Sequence, residues 1–400
     1  MKAHITSERP NLFEPNVYIA MVAKIQGSIP AENAAEAVRA AYAANESTMS
    51  KIVLAENGNA YFQRLEESGC RIAFDSRSWK EILKESEKQT FHIKDGELIR
   101  TFIITEKDGL TLLIHAHHLV GDGKSILVLL SDILHSLKGN ALPFKSMVLI
   151  DRGYLEKRAR LPIGVKMFVN HMNRKWDKKK AVFGWDEYYA VHKQYWSRHS
   201  SEFEITTRDV KELKKRCGNA ATINSLLITE MLQNRPDSCV TGIPVSIREE
   251  NESMSNQTSG IAVNYRYDNR KPFEENLRSL HKRIYEKLRD NNAKYFVLLF
   301  VASLCPSLVD SVLLQAHGCY ADSLSEKMAE IMGYTDKNSR DIGVTNLGVI
   351  DVPAEFDDFQ VTDILFIPPK ISYAKEVAGV STLGDKLTIC LHKVTKSISG

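Results

Sequence analysis

His117-His118-Leu119-Val120-Gly121-Asp122-Gly123 joins two histidines to an aspartate and a glycine at fixed spacing. The apolar run Leu110 to His118 leads into it and reads as a strand. Behind it, Ile126, Leu129, Leu130, Ile133, Leu134 and Leu137 recur at helical spacing, so a helix with one buried face begins near Gly123. The seven residues are therefore a strand-to-helix turn. A helix start carries N–H groups with no partner in the helix, which suits a binding or reacting site. Strand alternation puts His115 and His117 on one face and His118 on the other.

Three readings of these side chains compete. A strand histidine can be a buried residue with a satisfied hydrogen bond. A metal site needs third and fourth ligands at metal spacing, and no such spacing and no H-E-x-x-H follows, so no metal is expected. A general base needs one imidazole, neutral near pH 7 and facing a cleft. No G-x-S-x-G elbow occurs, so direct attack on an acyl carbonyl fits better than a covalent acyl-enzyme.

The chain around the motif has 400 residues, which suits two domains. Its 43% hydrophobic and 26% charged content is that of a soluble globular protein. A net charge of +3 argues against wholesale nucleic-acid binding. Six scattered cysteines with no C-x-x-C pair read as reduced, which points to the cytoplasm. No signal peptide is visible behind Met1, and the apolar stretch Tyr295 to Cys305 is too short to span a bilayer.

Strands are expected at Asn16 to Ile25, in a hairpin at Lys51 to Leu54 and Ala60 to Leu65, and at Leu98 to Thr105 and Leu110 to His118. Helices are expected at Ala31 to Ala44 and Trp79 to Glu87. Arg152 to Lys180 holds ten Lys or Arg against Glu156 and Asp177 only. It reads first as a solvated connection with a charged helix. A patch for a phosphate-bearing cofactor, a carrier protein or a membrane surface is its functional alternative. The second half mixes helices (Arg208 to Lys215, Thr222 to Leu232, Glu274 to Arg289, Lys294 to Leu304, Ser323 to Ile331) with strands. The strands fall at Cys239 to Ile247, Ile261 to Tyr267, Ile342 to Leu347, Val361 to Ile367 and Lys386 to Lys393. The expected organisation is one lobe over 1–150, a basic connecting segment over 151–200 and a second lobe over 201–400.

The motif resembles the H-H-x-x-x-D-G signature of the acyltransferase superfamily that holds the condensation domains of nonribosomal peptide synthetases and free-standing alcohol acyltransferases. Other segments resemble that family in the expected order. These are Asp95-Gly96-Glu97-Leu98-Ile99-Arg100, with Glu97 where proline is usual; Ile243 to Arg248 with Gly260 to Asn264; and Val344-Thr345-Asn346-Leu347-Gly348. The likeness spans Asn16 to Val394. Phe183-Gly184-Trp185-Asp186 resembles the D-F-G-W-G motif of the plant branch only superficially and lies mid-chain.

The resemblance implies an α/β (α+β) fold of two chloramphenicol-acetyltransferase-like subdomains in a V-shaped pseudo-dimer with a central tunnel. It implies His118 as catalytic general base and His117 as a structural neighbour. It also implies that Asp122 pairs with an arginine to hold the motif loop, with Arg248 the first candidate and Arg100 the second. Gly123 suits close backbone approach at the turn. The Gly123 N–H and the Thr345 hydroxyl are oxyanion candidates, and Asn346 suits a tunnel wall. Thr345 reads equally as a plain strand residue.

The activity implied is acyl transfer from acyl-CoA or an acyl carrier protein to an alcohol or amine. No cofactor is expected to be permanently bound; acyl-CoA or a phosphopantetheinyl carrier is a co-substrate. With no adenylation or carrier domain before Gly400, a free-standing enzyme is expected. Amide condensation between carrier-bound partners is the second reading. A non-catalytic recruitment protein on the same fold is the third.

Overall fold

The motif strand Gly109–His117 lies at the centre of a five-stranded sheet. Its neighbours are Tyr18–Gly27 and Ile99–Glu106, both antiparallel, with Tyr18 opposite His117 and Ile99 opposite Ala116. Arg71–Asp75 forms one edge and Phe359–Ile367 the other. These structural details come from a computed structural model, which describes residues 2–396 apart from 236–237, 250, 336–339, 353–354, 357 and 373.

Both faces of this sheet are covered, which is why its strands read as near-continuous apolar runs. On one face Ile19, Met21, Leu112 and Ile114 join a large core with the helices Ala31–Ala43 and Gly123–Leu137. On the other, Ala20, Val22 and Leu113 meet Ile82 and Leu83 of the helix Trp79–Lys88. That helix begins at Ser78 in a capping box with Glu81.

The second lobe is a six-stranded sheet in the order Thr258–Asn264, Val240–Ser246, Arg340–Val349, Ala374–Leu383, Lys386–Lys396, His199–Asp209. The helices Val210–Cys217, Ile223–Gln233 and Phe273–Arg289 bury Leu213, Leu226, Ile228 and Leu280 against it.

The lobes are not the contiguous blocks of sequence expected of them. The strand Phe359–Ile367 returns to the first lobe and pairs with Tyr18–Gly27. The helices Pro306–Ala316 and Ser323–Met332 also bury their apolar sides in the first lobe's core. The segment 151–200 is more than a solvated connection. Its helices Ile163–Asp177 and Trp185–Trp196 sink Met172, Trp176, Tyr188 and Trp196 into that core. Its ten basic side chains, all but Arg158, remain exposed.

Local boundaries also move. Arg208 belongs to a strand, and the helix after it starts at Val210, capped by Asp209, whose carboxylate accepts the Glu212 N–H. The strand expected to reach Tyr267 stops at Asn264. Among the described residues no single helix is long and apolar enough to cross a membrane. None of the six cysteines is paired.

Candidate active site

The strand ends at His117, and His118–Val120 forms one tight turn before the helix starts. The three histidines take different surroundings. His115 and His117 are fully buried on the same face, both against Tyr18 and Phe91. His115 Nδ1 meets the Ser86 hydroxyl at 2.8 Å, and His117 Nδ1 accepts the Leu119 N–H at 3.3 Å. Burial drives the pKa of both well below the ordinary imidazole value.

His118 alone of the three is partly accessible, and it lines a cavity of about 680 Å³. Burial lowers its pKa too, although the nearby Asp122 charge, its own backbone and Asn256 pull the other way. The net shift is downward, so the imidazole is neutral at pH 7.

Asp122 is the N-cap of the helix Gly123–Leu137. Its Oδ1 accepts the Ser125 N–H at 3.0 Å, the Ser125 hydroxyl at 3.0 Å and Arg248 Nη2 at 3.0 Å. Its Oδ2 accepts the Gln257 N–H at 3.0 Å and the Thr258 hydroxyl at 2.9 Å. Burial alone would raise this carboxyl's pKa; Arg248 and the converging donors outweigh it and hold it below the usual value. Arg248, Gln257 and Thr258 come from the second lobe, so Asp122 ties the lobes together at the motif. Arg248 Nη2 also donates to Ser255 O and Ser125 Oγ.

Arg100, the second candidate for this pairing, is elsewhere. It is clamped by Glu97 at 2.9 Å and by the carbonyls of Ser86, Gln89 and Thr90. Glu97 is thus the counter-ion of a buried arginine, and it also accepts the His92 N–H.

Gly121 and Gly123 shape the turn. A Cβ on Gly121 would sit 2.4 Å from Ser125 Cβ and Oγ. A Cβ on Gly123 would sit 2.7 Å from Leu347 Cδ2, across the lobe boundary. Gly123, Thr345 and Asn346 all line the same cavity as His118. Asn346 Oδ1 accepts the Gly348 N–H at 2.8 Å, where the strand's register slips.

Sequence reasoning missed Glu8, Asn256 and the polar run around it. Asn256 Nδ2 donates to the His118 carbonyl and, at 3.0 Å, to Glu8 Oε2. Ser253, Ser255 and Gln257 are buried although their composition reads as an exposed loop. Ser125 had a signal, an aspartate three residues ahead of it at a helix start. Among the described residues no group of three His, Cys, Asp or Glu is gathered as a metal site.

The fold is that of the condensation domains, two chloramphenicol-acetyltransferase-like lobes with the motif histidine at the cavity between them. Three solved structures are similar to the chain over nearly its whole length. One is the first condensation domain of the calcium-dependent antibiotic synthetase in complex with a substrate analogue (12% identity, 98% of this chain and 91% of that chain, TM-score 0.66). Another is the condensation domain of a monacolin K polyketide synthase (12%, 99% and 92%, TM-score 0.62). The third is a mutant starter condensation domain of rhizomide synthetase in complex with C8-CoA and Leu-SNAC (11%, 98% and 88%, TM-score 0.62). No family model and no curated protein matches the sequence.

Proposed function

We propose that the protein is a cytoplasmic condensation-type acyltransferase. It moves an acyl group from a thioester, on coenzyme A or a carrier protein, to a hydroxyl or amine acceptor. His118 takes the proton as the acceptor attacks, and the thiol leaves with it. Asp122 and Arg248 hold the turn without touching the reacting atoms. The Gly123 N–H and the Thr345 hydroxyl are the donors offered to the oxyanion.

The observation that carries this reading is the placement of one neutral, accessible imidazole on the wall of an inter-lobe cavity, while its two neighbours are buried. The C8-CoA complex of the rhizomide domain supports a thioester of this kind as donor. A recruitment protein would have no use for that imidazole.

The test is thiol release from octanoyl-CoA, and from the same acyl group on a carrier protein, with a panel of alcohols and amines. Ester or amide formation stoichiometric with free thiol is expected. No acceptor-dependent release from either donor would contradict the reading.

A further inference from the structure

Glu8 has no task in the reaction just described, yet it lies on the wall of the same cavity and is 7% exposed. Among the described residues Asn256 is the sole hydrogen-bond partner of its carboxylate, and no cation pairs with it. The Asn256 amide nitrogen also holds the His118 carbonyl, so Glu8 stands one amide group away from the motif histidine.

The other charges lining the cavity do not neutralise it. Asp122 is saturated by five donors and paired with Arg248. Glu14 is a further carboxylate; its Oε1 meets the Ser372 hydroxyl and His317, and its Oε2 is buried without a partner. Asn256 Oδ1 is likewise buried and unpartnered. Lys124 is the one lysine on the lining and is exposed. Much of the remaining wall is apolar, including Ile19, Phe168, Phe300 and Leu347.

A buried carboxylate without a cation is costly, and burial pushes the Glu8 carboxyl up to about 8. A carboxyl group with a single hydrogen-bond partner among the described residues, on a largely apolar wall, complements a ligand with an apolar body and a charged donor head.

We propose that Glu8 is a specificity-determining residue that receives the ammonium head of a primary-amine acceptor. This rests on the acyl-transfer reading and narrows its product to an amide. As the ammonium binds, Glu8 gives its own proton to water and pairs with the ammonium as a carboxylate; it then takes one proton from the ammonium, leaving a neutral amine. The nitrogen lone pair then forms the C–N bond at the thioester carbonyl, and His118 takes a second proton from nitrogen. The C–S bond breaks with its electrons on sulfur, and the thiolate takes the proton from His118. Ammonium and thioester become amide, thiol and one proton, the one released to water as the ammonium binds, and Glu8 ends as it began.

The experiment compares hexylamine and hexanol as acceptors with octanoyl-CoA, and measures binding of both by calorimetry. Three proteins are used: wild type, Glu8→Gln and Glu8→Asp. Glu8→Gln is expected to cut kcat/KM for hexylamine about tenfold or more, through both KM and kcat, and to change kcat/KM for hexanol by no more than about twofold. Its hexylamine Kd is expected to weaken by the same factor of about ten, and Glu8→Asp to keep most of the preference. Equal effects on amine and alcohol, or none, overturn the proposal. If neither compound is acylated, the acyl-transfer reading fails, and the calorimetry still decides Glu8. Selective weakening of hexylamine upholds its role as an ammonium site; unchanged binding overturns it.

Discussion

Arg248 Nη2 lies 3.0 Å from Asp122 Oδ1, with both side chains almost wholly buried, and this contact joins the two lobes at the motif. The aspartate is therefore bound from both sides: by its own helix through Ser125, and by the second lobe through Arg248, Gln257 and Thr258. A turn held this way keeps His118 at a fixed place on the cavity wall.

Removing one member of a buried pair leaves a charge without its partner. Arg248→Ala is expected to lower stability by on the order of 3 kcal/mol, read from urea unfolding midpoints. Asp122→Asn is expected to lose less, because the amide oxygen still accepts from part of the donor set. A loss within about 0.5 kcal/mol for Arg248→Ala, as for a surface substitution, would contradict the brace.

Gly121→Ala places a methyl group 2.4 Å from Ser125 Cβ and Oγ, the side chain that reads Asp122 and Ser255. The serine cannot retreat without breaking those bonds. A loss of roughly 1–3 kcal/mol is expected, together with reduced activity. Unchanged melting and unchanged activity would show that the turn is more tolerant than its packing.

The buried ionisable groups set a pH profile for stability. Burial lowers His115, His117, His192 (to about 3) and His392 (to about 4). Below about 6.5 the unfolded chain binds protons that these folded histidines refuse, so their contribution falls as pH falls. Glu8 and Glu87 are raised by burial to about 8, so the folded state holds protons that the unfolded chain releases near 4.5. Their contribution falls as pH rises from about 4.5 to 8. These groups together place a stability maximum near pH 6.5, where the histidine loss begins. Melting temperatures across pH 5 to 8.5 test this, and Glu8→Gln with Glu87→Gln should flatten the alkaline limb (~pH 6.5–8).

The pH dependence of kcat/KM follows from His118. A base works in its neutral form, and burial moves its pKa below the ordinary value. The rate is therefore expected to rise with pH through an inflection below about 6.5, with His118 neutral above it. An inflection above that value assigned to His118 would mean that the histidine is solvated or paired differently.

The motif's local structure was legible because each signal is short-range. Alternation separated His118 from His115 and His117, and the leucine and isoleucine spacing marked the helix after Asp122. What was not legible depends on distant partners. Phe359–Ile367 reads as a strand anywhere, and nothing local says that it pairs with Tyr18–Gly27. His199–Asp209 is an edge strand with mostly exposed side chains, so its hydrophobic period is faint. Ala374–Leu383 is built partly from small residues, and Ser253 to Ser259 reads as loop until it is seen buried against the motif turn. Glu8 gave no signal, since a single acidic residue near a chain start has no pattern around it.

The central claim is that His118 is the base for acyl transfer, and the most direct measurement is kcat/KM for thiol release from an acyl-CoA in wild type and His118→Ala. The cavity wall should lose only an imidazole, so folding, checked by melting temperature, should be little changed. A fall of about 10²–10⁴ in kcat/KM is predicted. Equal rates in the two proteins, at equal folding, would contradict the account.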